Sequence, residues 1–298
     1  MNLNGIFTAI TTPFDGDGAL AVDRLRENIS RYNRVPLSGY VAVGSTGESV
    51  LLTRAEVEQV FSAVREAAAP GRILVAGVGS ESTPETISRS KAAANCGFDC
   101  VLVKTPSFFK SALSADALAE HYRRVADASK LPVVLYSIPQ FTGVALEADL
   151  VARLAEHPNI VGIKESSGNV QRVGEIIAAV PEKFQVVVGS ADTLYASLML
   201  GAAGGILALA DCLPELCIEL YRAVAANQTP NAQDLNRRIL PASKKIVRQM
   251  GIAGVKCAMD YRGYYGGPVR GPLLPLTAAQ KNEIEAVVNS LVATAAAD

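Results

Sequence analysis

Residues 132–169 read PVVLYSIPQFTGVALEADLVARLAEHPNIVGIKESSGN. Two aliphatic runs, one from Pro132 and one from Ile160, enclose a segment of helical pattern that stops at His157-Pro158. Each run is apolar on both alternating faces, as a strand covered on both sides of a parallel sheet must be. Each also closes on a reactive side chain, Tyr136 in the first and Lys164 in the second. The same unit recurs outward in both directions. Further aliphatic runs begin at Gly5, Ser38, Ile73, Cys100, Gln185 and Gly204, with amphipathic stretches between them. In one of these, Thr53 and Glu56 have the spacing of a capping box, and Val57, Val60, Phe61 and Val64 make one apolar stripe. Eight strand–helix units end near Asn227, and eight is the number that closes a (β/α)8 barrel, the TIM-barrel form of the α/β class. The expected organisation is a catalytic barrel over residues 1–227 and a C-terminal helical extension over 228–298. Helices are expected in that extension around Ala232–Gln249, Val255–Arg262 and Thr277–Thr294. An open doubly wound sheet would announce a nucleotide site with G-x-G-x-x-G after its first strand, and that pattern is absent there.

Composition narrows the function. Of 298 residues, 49% are hydrophobic and 19% charged, which is enough apolar surface to offset chain entropy and exclude disorder. The balance of 28 basic against 29 acidic side chains leaves no electrostatic footprint for nucleic acid or an anionic membrane. The uncharged stretch Leu194–Ala210 comes near to membrane-span length but is broken by Gly201, Gly204 and Gly205, so it reads as a helix followed by a short buried strand. The N-terminus has no basic segment before its apolar run, so no signal peptide is expected. Cys96, Cys100, Cys212, Cys217 and Cys257 show no C-x-x-C spacing and are odd in number, as expected of free thiols in a reducing cytoplasm.

The connections differ by direction. Helix-to-strand turns are plain, whereas the strand-to-helix loops TTPF, GSTGES, KTPSFFK, YSIPQFTG, KESSGN and GSAD are rich in hydroxyls. In a barrel the latter all open at the C-terminal rim, where active sites lie. Serine and threonine also cap helices, and GSAD fits that use equally well.

Two lysines close strands on that rim, Lys164 after Ile163 and Lys104 in VLVKTP. A barrel interior disfavours the ammonium form and pulls a lysine pKa down from about 10.4, which would free an amine to attack a ketone. Spacing does not separate the two. Tyr136 is the natural proton handler beside a carbinolamine. Gly44-Ser45-Thr46-Gly47-Glu48 offers hydroxyls and consecutive N–H groups suited to a carboxylate. The only histidines, His121 and His157, are isolated, so no metal site is expected.

GSTGE at 44–48, YSIP at 136–139 and GIKES at 162–166 together resemble the dihydrodipicolinate synthase/N-acetylneuraminate lyase family. The resemblance runs from Thr12–Phe14 to the C-terminal helices. It implies a cofactor-free, pyruvate-type Schiff-base aldolase that assembles as a homotetramer, a dimer of dimers. It implies Lys164 as the imine lysine and Tyr136 as the proton shuttle. Ser45 and Thr46 would hold the pyruvyl carboxylate, with Thr46 also in the relay, and Gly189 and Ile206 would line the pocket. There are two departures. Phe141 stands where the synthases carry an arginine for the aldehyde's carboxylate, and Phe108 where a tyrosine completes the relay across a subunit interface. With the segment GIAGVKCAMDYRGYYGGPVRGPL, the YSIP variant looks closest to 4-hydroxy-2-oxoglutarate aldolases. Dihydrodipicolinate synthesis or another sugar-acid aldol reaction is the alternative. A phosphosugar-binding barrel, suggested by Gly189-Ser190 and Gly204-Gly205, and a non-catalytic binding barrel rank lower.

Overall fold

The computed structural model describes residues 1–295. Its eight strands are β1 (Gly5–Thr8), β2 (Gly39–Ala42), β3 (Ile73–Gly77), β4 (Cys100–Lys104), β5 (Val133–Ser137), β6 (Ile160–Glu165), β7 (Gln185–Val188) and β8 (Gly204–Leu207). Each pairs in parallel with its neighbour in sequence, and β1 pairs with β8, so the sheet closes as a barrel. The chain is a TIM barrel with C-terminal helices, and the open-sheet alternative falls.

Side chains alternate across each strand, and this divides the core in two. Leu3, Phe7, Val41, Val75, Leu102, Val134, Val187 and Ile206 fill the barrel interior. Ile6, Tyr40, Leu74, Val101, Leu135, Ile163 and Leu207 face the surrounding helices instead. That alternation explains why the strands read as unbroken apolar runs. It also assigns Lys104, Tyr136 and Lys164 to the interior set, two residues on from Leu102, Val134 and Gly162. Register puts the three in one layer, with Lys104 opposite Tyr136 and Tyr136 opposite Lys164. At Gly162 a side chain would collide with the Gln185 carbonyl of β7, so the glycine is required by close backbone approach.

The capping box at Thr53 forms as expected and starts the helix Arg54–Ala67. The uncharged stretch 194–210 holds a helix, Leu194–Met199, and then β8, and among the described residues no helix is long and apolar enough to cross a membrane. The expected helix Ala232–Gln249 begins earlier, at Thr229, and changes character within its length. It is α-helical to Ala242 and a π-helix over Ser243–Gln249. Pro241 lies inside its last α-helical turn, where the missing N–H removes a ladder bond and makes the regular winding harder to continue. The next helix runs Gly251–Tyr261, four residues ahead of the expected start at Val255, and the last runs Ala278–Ala295. The π-helix and the start of the following helix lie over the open rim of the barrel, and Val247, Arg248, Ile252 and Val255 roof its cleft.

Candidate active site

The turn after β2 is built from its ends inward. Val43 and Glu48 adopt left-handed backbone conformations, with φ of 57° and 55°, and the bend between them exposes Ser45 and Thr46 to the rim. Thr12 donates through Oγ1 to the Gly47 carbonyl at 2.6 Å. The Glu48 carboxylate then points away from the cleft into a buried ion pair. Its Oε1 lies 2.5 Å from Lys256 Nζ, and its Oε2 accepts the Arg270 backbone N–H at 2.8 Å. Lys256 also donates to the Pro268 carbonyl at 2.8 Å and sits 4.6 Å from the centre of the Phe14 ring. Burial lowers the Lys256 pKa, and the Glu48 carboxylate opposes that shift. Arg270 lies over the same ring and binds Glu56 with two nitrogens, at 2.6 and 2.9 Å. The Arg270 hydrogen bond is the main reason the Glu56 carboxyl is held down at about 2. Sequence reasoning gave Glu48, Lys256 and Arg270 no role. The available signal was a lysine among Val255, Ala258 and Met259, on a helix otherwise apolar at those positions.

Lys164 and Tyr136 enter from the floor, each only 4% exposed. Lys164 Nζ lies 4.4 Å from the centre of the Tyr136 ring, and among the described residues no carboxylate forms an ion pair with it. The Tyr136 hydroxyl meets Ser45 Oγ at 3.3 Å. The hydroxyl in contact with the tyrosine is that of Ser45, while Thr46, expected in the relay, lies on the cleft wall. Gly189 is explained by crowding: a Cβ there would collide with Ser166 Oγ and come within 2.9 Å of Lys164 Cε. Ile206 is packed in the barrel interior, and Ala208 rather than Ile206 borders the cleft. At the C-terminal ends of β1 and β8, Asp211 is fully buried. It accepts from Thr8 Oγ1 at 2.8 Å, and the Tyr32 hydroxyl bonds its carbonyl at 2.7 Å. Burial raises its carboxyl well above the usual range, against the Thr8 and Tyr32 hydrogen bonds and the charge of Lys164.

The cleft has a volume of about 440 Å³ and is bordered by Ser45, Thr46, Tyr136, Lys164, Ser166 and Gly189 at its base. Higher on its walls stand Gln140, Phe141, Ser167, Ser190, Asp192 and Arg248. Phe141 is 68% exposed and offers only an apolar ring. In GSAD the serine is not a cap: Ser190 donates to Asp192 at 2.5 Å. In KESSGN, by contrast, Asn169 does cap, accepting the Arg172 N–H. Lys104, the rival amine, reaches Glu81 at 3.2 Å. Burial works against the Glu81 anion, yet the N–H groups of Ser107 and Phe108, the Ser107 hydroxyl and Lys104 together bring its carboxyl to about 2. Phe108 is 78% exposed and packs edge-on against Phe109.

His121 is buried with Nδ1 2.9 Å from Thr83 Oγ1, and His157 pairs with Asp127. Burial brings His121 down to about 4. Among the described residues no three histidine, cysteine or acidic side chains gather into a possible metal site.

With this geometry in place, four similarities identify the lineage. The model of the dihydrodipicolinate synthetase family matches residues 2–291. A 4-hydroxy-tetrahydrodipicolinate synthase of Methanothrix thermoacetophila is 36% identical over 96% of both chains. Two solved structures overlay nearly whole. One is a chloride-inhibited dihydrodipicolinate synthase from Acinetobacter baumannii in complex with pyruvate, with TM-score 0.92 and 32% identity over 97% of this chain and 98% of that one. The other is the dihydrodipicolinate synthase DapA-2 of Bacillus anthracis, with TM-score 0.93 and 28% identity over 97% and 99%. These relatives bear the synthase name, so the expectation that placed 4-hydroxy-2-oxoglutarate aldolase first is not supported, and its alternative fits better. The chain belongs to the dihydrodipicolinate synthetase family and is an enzyme of its carbon–carbon lyase, class I aldolase type.

Proposed function

We propose that Lys164 forms an imine with a 2-oxo acid of the pyruvate type, and that the resulting enamine condenses with a second carbonyl compound as in 4-hydroxy-tetrahydrodipicolinate synthases. The observation that carries this reading is a single amine on the cleft floor, without a carboxylate partner among the described residues and against the Tyr136–Ser45 hydroxyl pair. The pyruvate bound in the related Acinetobacter baumannii enzyme supports the substrate class. Lys164 Nζ attacks the C2 carbonyl, and Tyr136 delivers a proton to the oxygen as the carbinolamine loses water. The protonated imine draws electrons as a C3 proton leaves, and the enamine carbon then bonds to the aldehyde carbon. Ser45 and Thr46 would hold the carboxylate, on a turn braced from behind by Glu48 and Lys256. No cofactor enters this scheme.

Phe141 favours one competing reading. An apolar ring cannot make the arginine contact that the resemblance implies for the synthases, which leaves retro-aldol cleavage of 4-hydroxy-2-oxoglutarate into pyruvate and glyoxylate as the second reading. Gly204 and Gly205 are packed against Gly5 and Leu207, which lends no support to a phosphate cradle there. The five free cysteines support a reducing, cytoplasmic setting. The exposed Phe108 and Phe109 rings suit burial against a second copy in the tetramer that the resemblance implies.

The test is borohydride reduction with pyruvate, read as a reduced three-carbon adduct on Lys164. Parallel assays would measure condensation with aspartate semialdehyde and cleavage of 4-hydroxy-2-oxoglutarate. An adduct on any other lysine would overturn the site, and faster cleavage than condensation would favour the second reading.

A further inference from the structure

Away from Lys164, the cleft ends against a wall formed by the C-terminal extension, and that wall carries Arg248. Lys164 and Arg248 are the two basic side chains among the residues bordering the cleft, and Asp192 is the acidic one. Arg248 is 66% exposed and pairs through Nη1 with Asp192 Oδ2 at 2.9 Å, its one protein partner among the described residues. Asp192 is 12% exposed and anchored through its other oxygen by Ser190. A guanidinium has five N–H donors in a planar fork. Asp192 engages one of its nitrogens, so it can orient the group while leaving donors available to a ligand.

The direction of Arg248 follows from the helix that carries it. Within Ser243–Gln249 the winding is wider than in an α-helix, which shifts every later side chain from its α-helical register. Gly251, with φ of 59°, then allows the chain to restart as an ordinary helix. Ser167, Gly168 and Ser190 border the same cleft. With the 2-oxo group at Lys164 and its carboxylate at Ser45–Thr46, Arg248 is the remaining basic side chain on the cleft for a group joined to C3.

We propose that Arg248, oriented by Asp192, is the residue that determines specificity for the second substrate, by binding a carboxylate at the far end of the carbon chain. The assignment rests on the imine reading of Lys164. It places recognition of the second substrate's carboxylate on the extension rather than at position 141.

Borohydride trapping with two 2-oxo acids of equal length tests this without a known aldehyde. 2-Oxoglutarate ends in a carboxylate and 2-oxopentanoate in a methyl group. The full-length enzyme should reach half-maximal trapping at about 10- to 100-fold lower 2-oxoglutarate, the range of one charge-assisted hydrogen-bonded pair. Arg248→Gln should erase that preference while leaving pyruvate trapping within about twofold, and Arg248→Lys should restore part of it. Equal trapping of the two acids by the wild type, or a preference that survives Arg248→Gln, would overturn the assignment alone. Failure of the wild type to trap pyruvate would overturn the imine reading and this assignment together.

Discussion

β4 and β6 both end on a lysine of the inward-facing set, and register places the two amines one strand to either side of Tyr136. Their surroundings differ. Lys104 reaches the Glu81 carboxylate, which is itself held by two backbone N–H groups and the Ser107 hydroxyl. Lys164 makes no ion pair among the described residues and lies over an aromatic ring, with the buried Asp211 carboxyl acting on it only without direct contact. An ion pair favours the ammonium form, and a nucleophile needs the free amine. The same position in the same fold thus gives one amine in an ion pair and one outside any ion pair among the described residues, a contrast on which the proposed imine chemistry at Lys164 draws.

The largest consequence is for turnover. Lys164→Ala should lower kcat/KM by about 10^5- to 10^6-fold, the scale of losing a covalent nucleophile, and should abolish the pyruvate adduct. Lys104→Ala should keep the adduct and lose less than about tenfold. Mass spectrometry after borohydride reduction reads both, and an adduct lost equally in the two variants would erase the distinction. Next, Tyr136→Phe should cost about 100- to 10,000-fold in kcat, the range of one general acid–base group. Ser45→Ala should be milder in kcat, because it leaves the phenol in place and removes one contact to it at 3.3 Å.

A smaller effect should appear behind the carboxylate turn. Lys256→Met leaves Glu48 charged and buried without its partner, a loss of about 3–5 kcal/mol in urea unfolding. The double variant Glu48→Gln/Lys256→Met should regain most of it. Residual activity of the single variant should show a raised KM for pyruvate, since the turn carrying Ser45 and Thr46 loses its brace. The smallest effect concerns Glu81. A carboxyl held at about 2 when folded, against about 4.3 when unfolded, contributes stability above that unfolded value and loses it as pH falls through the folded one. Melting temperatures of wild type and Glu81→Gln should therefore stay separated above about pH 5 and converge between about pH 4 and 2. A gap that widened on acidification would contradict the pairing with Lys104.

Much of this was legible beforehand. Unbroken apolar runs at regular intervals specify strands covered on both faces, and hydroxyl-rich loops on one side of those runs mark the open rim. Lys164, Tyr136, Ser45 and Thr46 all border the cleft where that reading put them. The parts that went unread depend on contacts far apart in the chain. Glu48 and Lys256 are separated by 208 positions and meet only because the extension folds over the β2 turn. The π-helical turn at 243–249 likewise has no period that distinguishes it from the α-helix before it.

Periodicity, spacing and motif order were sufficient to specify an eight-unit barrel with a tyrosine and a lysine at adjacent strand ends, because alternation across a strand is a local property of the backbone. Folding alone decided which carboxylate Lys104 pairs with, what stands behind the carboxylate turn and which cation the extension brings to the cleft. Electrostatic environment is a sum over neighbours in space, and those neighbours come from segments that the linear order keeps apart.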